Sequence, residues 1–206
     1  KSIQSLGAQV KICEGDCLAA EILARKIAEN EGRVFISPYN DQTVIAGQGT
    51  IGLELFRQNK NLDAVFVSVG GGGLISGIAS YLKQKSPNIQ IIGCYPENAP
   101  IMYECIKAGK IIPVSEQPTL SDATTGNLES GSITFPLCRD LIDHHVLVSE
   151  DEIKSAIKRL TETERMIVEG SAGVALAAFL KRADSWKGKN VAIVLCGLNI
   201  KFSTFI

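Results

Sequence analysis

Short β-branched runs alternate with longer helical patterns over most of the chain, the form taken by a parallel sheet covered with helices. The pattern predicts strands at Val10–Cys13, Val34–Ile36, Ala64–Val69, Ile89–Tyr95, His145–Val148 and Val191–Cys196. Ala64–Val69 and Val191–Cys196 are apolar on both alternating sets of positions, so both are expected to be central strands covered on two faces. Helical spacing predicts helices at Cys17–Asn30, Thr43–Gln58, Leu74–Lys85, Ile101–Ala108, Phe135–Ile142, Glu150–Glu164 and Ser171–Lys181. Ser149 and Glu152 are spaced as a capping box, and Gly32 stands where a helix would end in a left-handed residue. Gly109 to Thr134, with Pro113 and Pro118, is the least regular stretch, and one so long inside a compact domain is usually functional or mobile. The expected class is α/β, an open and mostly parallel sheet with helices on both faces.

Composition narrows the functions. The 206 residues carry 21 Lys+Arg against 22 Asp+Glu, a formal net charge of −1, and 45% of them are hydrophobic. Such a chain buries a substantial core. It lacks the basic excess that nucleic acid or an anionic membrane surface requires, so neither is an expected partner. The longest apolar stretch, around Ala172–Leu180, falls short of the roughly 18–20 residues that cross a bilayer, and a cytoplasmic location is expected. Six cysteines lie within apolar strand and helix patterns, which favours reduced thiols, and Cys13 and Cys17 have no second Cys/His pair to complete a zinc site.

The segment Val65-Phe66-Val67-Ser68-Val69-Gly70-Gly71-Gly72-Gly73-Leu74-Ile75 carries the most chemistry. A buried strand runs into four glycines that open a helix, so several backbone N–H groups can converge on one anion at the positive end of a helix dipole. The expectation is a phosphate cup. A nucleotide-triphosphate loop would need Lys-Ser/Thr after the last glycine, where Leu74-Ile75 stands. The dinucleotide fingerprint is met only with looser spacing to Gly77, with Glu97 as the ribose-binding acid, which leaves a dinucleotide-binding oxidoreductase as a rival.

Val69–Ile78 resembles the cofactor loop of the fold-type-II pyridoxal-phosphate family of threonine dehydratase, serine dehydratase and serine racemase. Ala46-Gly47-Gln48-Gly49-Thr50, Val148-Ser149-Glu150-Asp151-Glu152-Ile153, Val168-Glu169-Gly170-Ser171-Ala172-Gly173 and Cys196-Gly197-Leu198-Asn199 resemble further motifs of that family, in order. Tyr95–Pro100 and Ile133–Leu137 look most like its hydroxyectoine-utilisation dehydratase branch. The resemblance implies pyridoxal 5'-phosphate as cofactor and a hydroxy-amino acid such as threonine or serine as substrate, turned by β-elimination into a 2-oxo acid and ammonia. It implies that Gly70, Gly71, Gly72, Gly73 and the Leu74 amide hold the phosphate, that Cys196 stands beside the pyridine nitrogen, and that Glu169 lies near the ring. Asp122 falls on the substrate side, with Ala123 where the family commonly has glycine. A homodimer is the family expectation.

Two family elements are missing. None of the fourteen lysines lies in the family's S-x-K-x-R-G-type segment, so no Schiff-base lysine and no other catalytic residue is assigned in this chain, and the S-S-G-N-type loop that grips the substrate is absent too. The family pattern makes residues 1–40 the remnant of a small domain and 41–206 an incomplete large cofactor-binding domain, the C-terminal portion of an enzyme whose N-terminal part is missing. The expected fragment is inactive. Serine-racemase-like members hold a divalent cation at positions filled here by Tyr95 and Ile101, which cannot ligate a hard cation, so no metal is expected. The alternatives are a non-catalytic binding or assembly module and a serine racemase-like isomerase.

Overall fold

The computed structural model describes residues 2–198. In chain order the helices are Ser2–Ser5 (α1), Cys17–Glu31 (α2), Gln42–Gln58 (α3), Gly73–Lys85 (α4), Ile101–Ala108 (α5), Thr134–Leu141 (α6), Glu150–Glu164 (α7) and Gly170–Arg182 (α8). Ala64–Ser68 (β1), Gln90–Pro96 (β2), His144–Val148 (β3) and Val191–Ile193 (β4) form one parallel sheet in the order β3-β2-β1-β4. The α/β class read from the sequence is the class observed.

Alternation along β1 sends Val65 and Val67 to one face and Ala64 and Phe66 to the other. The first face is covered by Ile75, Ile78 and Leu82 of α4, Ile101 and Met102 of α5 and Cys138 of α6. Ile153 and Ile157 of α7 and Val174 and Ala178 of α8 cover the second. There Phe66 packs edge-on against Phe179 and Trp186, with ring centroids 5.5 and 5.8 Å away. α7 begins with the expected capping box, the Ser149 N–H donating to Glu152 (2.8 Å) and the Glu152 N–H to Ser149 (3.3 Å), and α2 ends at Gly32 with φ 62°.

Strands β1 and β4 are neighbours, yet α4, which leaves β1, and α8, which leads toward β4, lie on opposite faces of the sheet. At such a reversal the loops beyond the strand ends diverge and leave a crevice.

Three strand expectations are corrected. Val10–Cys13 and Val34–Ile36 form no strand, and Ile12, Val34 and Ile36 are exposed. Among the described residues no strand lies beside them to take up their backbone hydrogen bonds, and an extended apolar run becomes a strand only with a partner. The third concerns Val191–Cys196, which is not central. Its strand stops at Ile193 and, among the described residues, pairs only with β1, although the Val194 N–H still donates to the Phe66 carbonyl at 3.0 Å.

Candidate active site

Beyond β1 the Val69 N–H donates to the Cys94 carbonyl (3.0 Å), and the chain then leaves the sheet through Gly70–Gly73 into α4. Gly72 caps the helix at φ 86° and offers no side chain to its first N–H groups. The Thr134 hydroxyl donates to the Gly71 carbonyl (2.6 Å) and the Cys138 thiol to the Gly72 carbonyl (3.8 Å), so these two carbonyls are already engaged. Among the described residues, no acceptor takes the N–H groups of Gly70 through Ile75. Consecutive unpaired amides at a helix N-terminus are a ready anion site.

The glycines answer to their neighbours as well. A Cβ on Gly71 would lie 2.4 Å from the Tyr39 ring, and one on Gly70 2.8 Å from Thr124 Cα. The unpartnered amides, rather than the glycine count, therefore argue for an anion.

On the β4 side the segment after Ile193 meets the start of α8. The Glu169 N–H donates to the Gly197 carbonyl (3.1 Å), the Ser171 hydroxyl to Glu169 Oε1 (2.5 Å) and the Ser68 hydroxyl to the Ser171 carbonyl (2.5 Å). Packing around the Cys196 sulfur pushes its thiol upward, the nearby Glu169 carboxylate adds to this, and hydrogen bonding with Ser171 and Ser68 opposes it. Cys196 thus presents a neutral thiol at neutral pH, although the residue is open to solvent on the cleft side.

A single cleft of about 410 Å³ is lined by Gly70–Gly73, Leu74, Asp122, Glu169 and Cys196, so all the candidate site residues meet in one place. Asp122 enters on a short 3-10 turn, Asp122–Thr124, where Ala123 needs no left-handed backbone. The sequence reading did not single out Glu21, Tyr39, Ser68, Thr124 and Ser171, which also line the cleft. Glu97, the candidate ribose acid, does not line it and pairs with Lys181 at 3.6 Å. Among the described residues no lysine lines it either. Tyr95 and Ile101 are buried elsewhere, the Tyr95 hydroxyl hydrogen-bonded to His145 Nδ1 at 2.9 Å. Asn199 lies outside the described residues.

The family model for pyridoxal-phosphate dependent enzymes matches residues 1–197. The L-threonine ammonia-lyase of Thermotoga maritima is 43% identical over 198 residues, covering 96% of this chain and 49% of that protein. Human serine racemase is 36% identical, over 100% of this chain and 61% of the racemase. Among solved structures, the processed form of threonine deaminase isoform 2 from Solanum lycopersicum superposes with a TM-score of 0.90 at 36% identity, over 99% of this chain and 60% of that one. The chain thus spans about half the length of the Thermotoga lyase. With the family model matched over nearly every residue, the chain belongs to the pyridoxal-phosphate-dependent enzyme family.

Proposed function

We propose that this chain is the cofactor-binding portion of a lyase that converts threonine or serine to a 2-oxo acid and ammonia. The observation that carries the reading is the run of unpartnered amides from Gly70 to Ile75, in one cleft with Cys196, Ser171 and Glu169. In this reading the amides of Gly70–Leu74 hold the phosphate of pyridoxal 5'-phosphate, Cys196 stands at its pyridine nitrogen, Glu169 lies near the ring and Asp122 faces the substrate. When bound, the cofactor supplies an electron sink for breaking the bond between the substrate α-carbon and its hydrogen.

The chain's own residues bind and orient. A neutral Cys196 thiol meets the ring nitrogen without forcing a full positive charge on it, as a carboxylate partner would. That moderates the sink and suits loss of a β-hydroxyl better than a long-lived carbanion. Ser68 fixes the Ser171 carbonyl and Ser171 fixes Glu169, so the three groups keep one arrangement at this end of the cleft. With no lysine among the described residues lining the cleft and no S-x-K-x-R-G-type segment in the sequence, these 206 residues alone are expected to be inactive. The division into 1–40 and 41–206, homodimeric assembly and a cytoplasmic location belong to the same reading.

Two other readings have support. Likeness to human serine racemase favours an isomerase, and a cleft that no lysine of the described residues lines favours a non-catalytic binding module. The test is the visible spectrum of the natural protein before and after borohydride, with intact mass and a threonine assay on the same sample. A yellow band that reduces to a fixed mass increment, with 2-oxo acid released, is the expected result. A band without 2-oxo acid but with D-serine formed from L-serine would favour the isomerase. No band, with the mass of this chain alone, would overturn both catalytic readings.

A further inference from the structure

The Cys196 end of the cleft holds a carboxylate as well as a thiol, and either can partner a ring nitrogen. Glu169 reaches that end through both its backbone and its side chain. Its N–H donates to the Gly197 carbonyl at 3.1 Å, and a Cβ on Gly197, the residue after Cys196, would run into the Glu169 carboxyl group. One hydroxyl decides where this carboxylate lies. Ser171, 2% exposed in the first turn of α8, donates to Glu169 Oε1 at 2.5 Å. Among the described residues no other hydrogen bond and no salt bridge engages the Glu169 carboxylate, and although Glu169 is the N-cap of α8, its side chain takes no capping hydrogen bond. Ser171 is anchored in turn: the hydroxyl of Ser68, buried at the end of β1, donates to the Ser171 carbonyl at 2.5 Å. A serine of the innermost strand thus holds a serine of α8, which holds the carboxylate.

The two possible partners act differently on a pyridine nitrogen. A carboxylate within about 4–6 Å favours the protonated, charged ring by about 1–3 pKa units, whereas a neutral thiol brings no such charge. Resting on the reading that the cofactor ring ends at Cys196, we propose that Ser171 is a positioning residue: its hydroxyl pins the Glu169 carboxylate away from the ring nitrogen and leaves the Cys196 thiol as the partner. A hydroxyl donating to a carboxylate makes a charge-assisted hydrogen bond, stronger than one between neutral groups, and burial of the donor keeps water from replacing it. In Ser171→Ala the carboxylate loses that tether and is free to swing into the cleft toward the positive charge it stabilises. Ser171 therefore guards the moderate electron sink that suits loss of a β-hydroxyl.

The test uses the protein expressed from its complete natural coding sequence and stripped of cofactor. It is loaded with pyridoxine 5'-phosphate, which keeps the phosphate and ring but cannot form an imine, isotopically enriched at the ring nitrogen so that nitrogen NMR reads its protonation as pH is varied. Ser171→Ala should raise the midpoint of that protonation by about 1–3 pH units, and adding Glu169→Gln should bring it back. A midpoint unmoved in Ser171→Ala, while Cys196→Ala changes the nitrogen signal, overturns the role of Ser171 and leaves the ring at Cys196. A rise that persists when Glu169→Gln is added overturns it as well, since the new partner is then not Glu169. If the ligand binds and neither Cys196→Ala nor Ser171→Ala moves the signal, or if it does not bind at all, the reading of the cleft falls, and this inference with it. Should Ser171→Ala fail to fold, Glu169→Gln alone decides: a fall in the midpoint of about 1 unit or more would mean that the carboxylate already faces the nitrogen and would overturn the proposal, whereas a smaller change supports it.

Discussion

The floor of the cleft and its α2 rim are held by different forces. Every side chain of β1 is buried, and β2 is nearly so, between layers of α4–α6 and α7–α8. Across the described residues up to 40, by contrast, only Ala28, Ser37 and Tyr39 are buried, while Ile12, Val34 and Ile36 face outward. Polar contacts tie α2 and the segment after it to the rest: Arg25 of α2 and Asn40 on the Glu129 carboxylate, and the Glu129 N–H on Tyr39. Apolar burial depends little on pH, whereas a carboxylate-centred network fails when one proton is added or one partner removed. The amides of the cup are therefore set by the rigid side, and access to them is set by the sensitive side.

The sharpest break in that comparison is Phe66→Ala. Removing a ring packed between Phe179 and Trp186 should cost about 3–5 kcal/mol, whereas Val34→Ala, 88% exposed, should stay within about 0.5 kcal/mol. Urea unfolding of both variants checks the contrast. Gly71→Ala comes next, since its methyl would lie 2.4 Å from the Tyr39 ring. The overpacking should cost about 1–3 kcal/mol, and pairing it with Tyr39→Ala should recover part of that loss in a double-mutant cycle.

Glu129→Ala tests the rim, leaving Arg25 and Asn40 without their acceptor at a cost of about 1–3 kcal/mol. Amide exchange should accelerate in α2 and stay unchanged in β1. The same network gives the rim a pH dependence. Burial alone would raise Glu129, but hydrogen bonds from Arg25 and Asn40 and the Arg25 charge outweigh it and hold its carboxyl below the ordinary 4.5. Its contribution is present above that ordinary value and lost as pH falls through the lowered one. Glu21 runs in the opposite sense: its raised carboxyl contributes at low pH and loses that contribution as pH climbs from 4.5 through the raised value. Protection of α2 should accordingly decline on both the acid and the alkaline side, and Glu129→Ala should remove the acid limb. Smallest of all is Lys158→Ala, an exposed helical pair with Glu162 at 3.7 Å, which should change the melting stability by less than about 0.5 kcal/mol.

What the sequence made legible follows the same division. Continuous apolar runs such as Val65–Val67 and Ile91–Ile92 demand burial on two faces, so the sheet interior and its helices are readable from periodicity alone. The cup is readable because strand, glycines and helix adjoin along the chain. Val10–Cys13 and Val34–Ile36 have the composition of strands, but pairing depends on a neighbour that their own residues do not encode. Ser68 and Ser171 escaped for a related reason. Each is a single hydroxyl inside an apolar pattern, and its role appears only when β1 and α8, 103 residues apart, meet. Tyr39 is the third case, lying in an irregular stretch with no period to flag it.

The central claim is that the Gly70–Leu74 amides hold the phosphate of a pyridoxal cofactor whose ring ends at Cys196. A crystal structure of the protein grown with pyridoxal 5'-phosphate tests it most directly. The account predicts phosphate oxygens about 2.7–3.2 Å from those amide nitrogens and the pyridine nitrogen beside Cys196 Sγ. A phosphate bound elsewhere in the cleft, with these amides still unengaged, would contradict it.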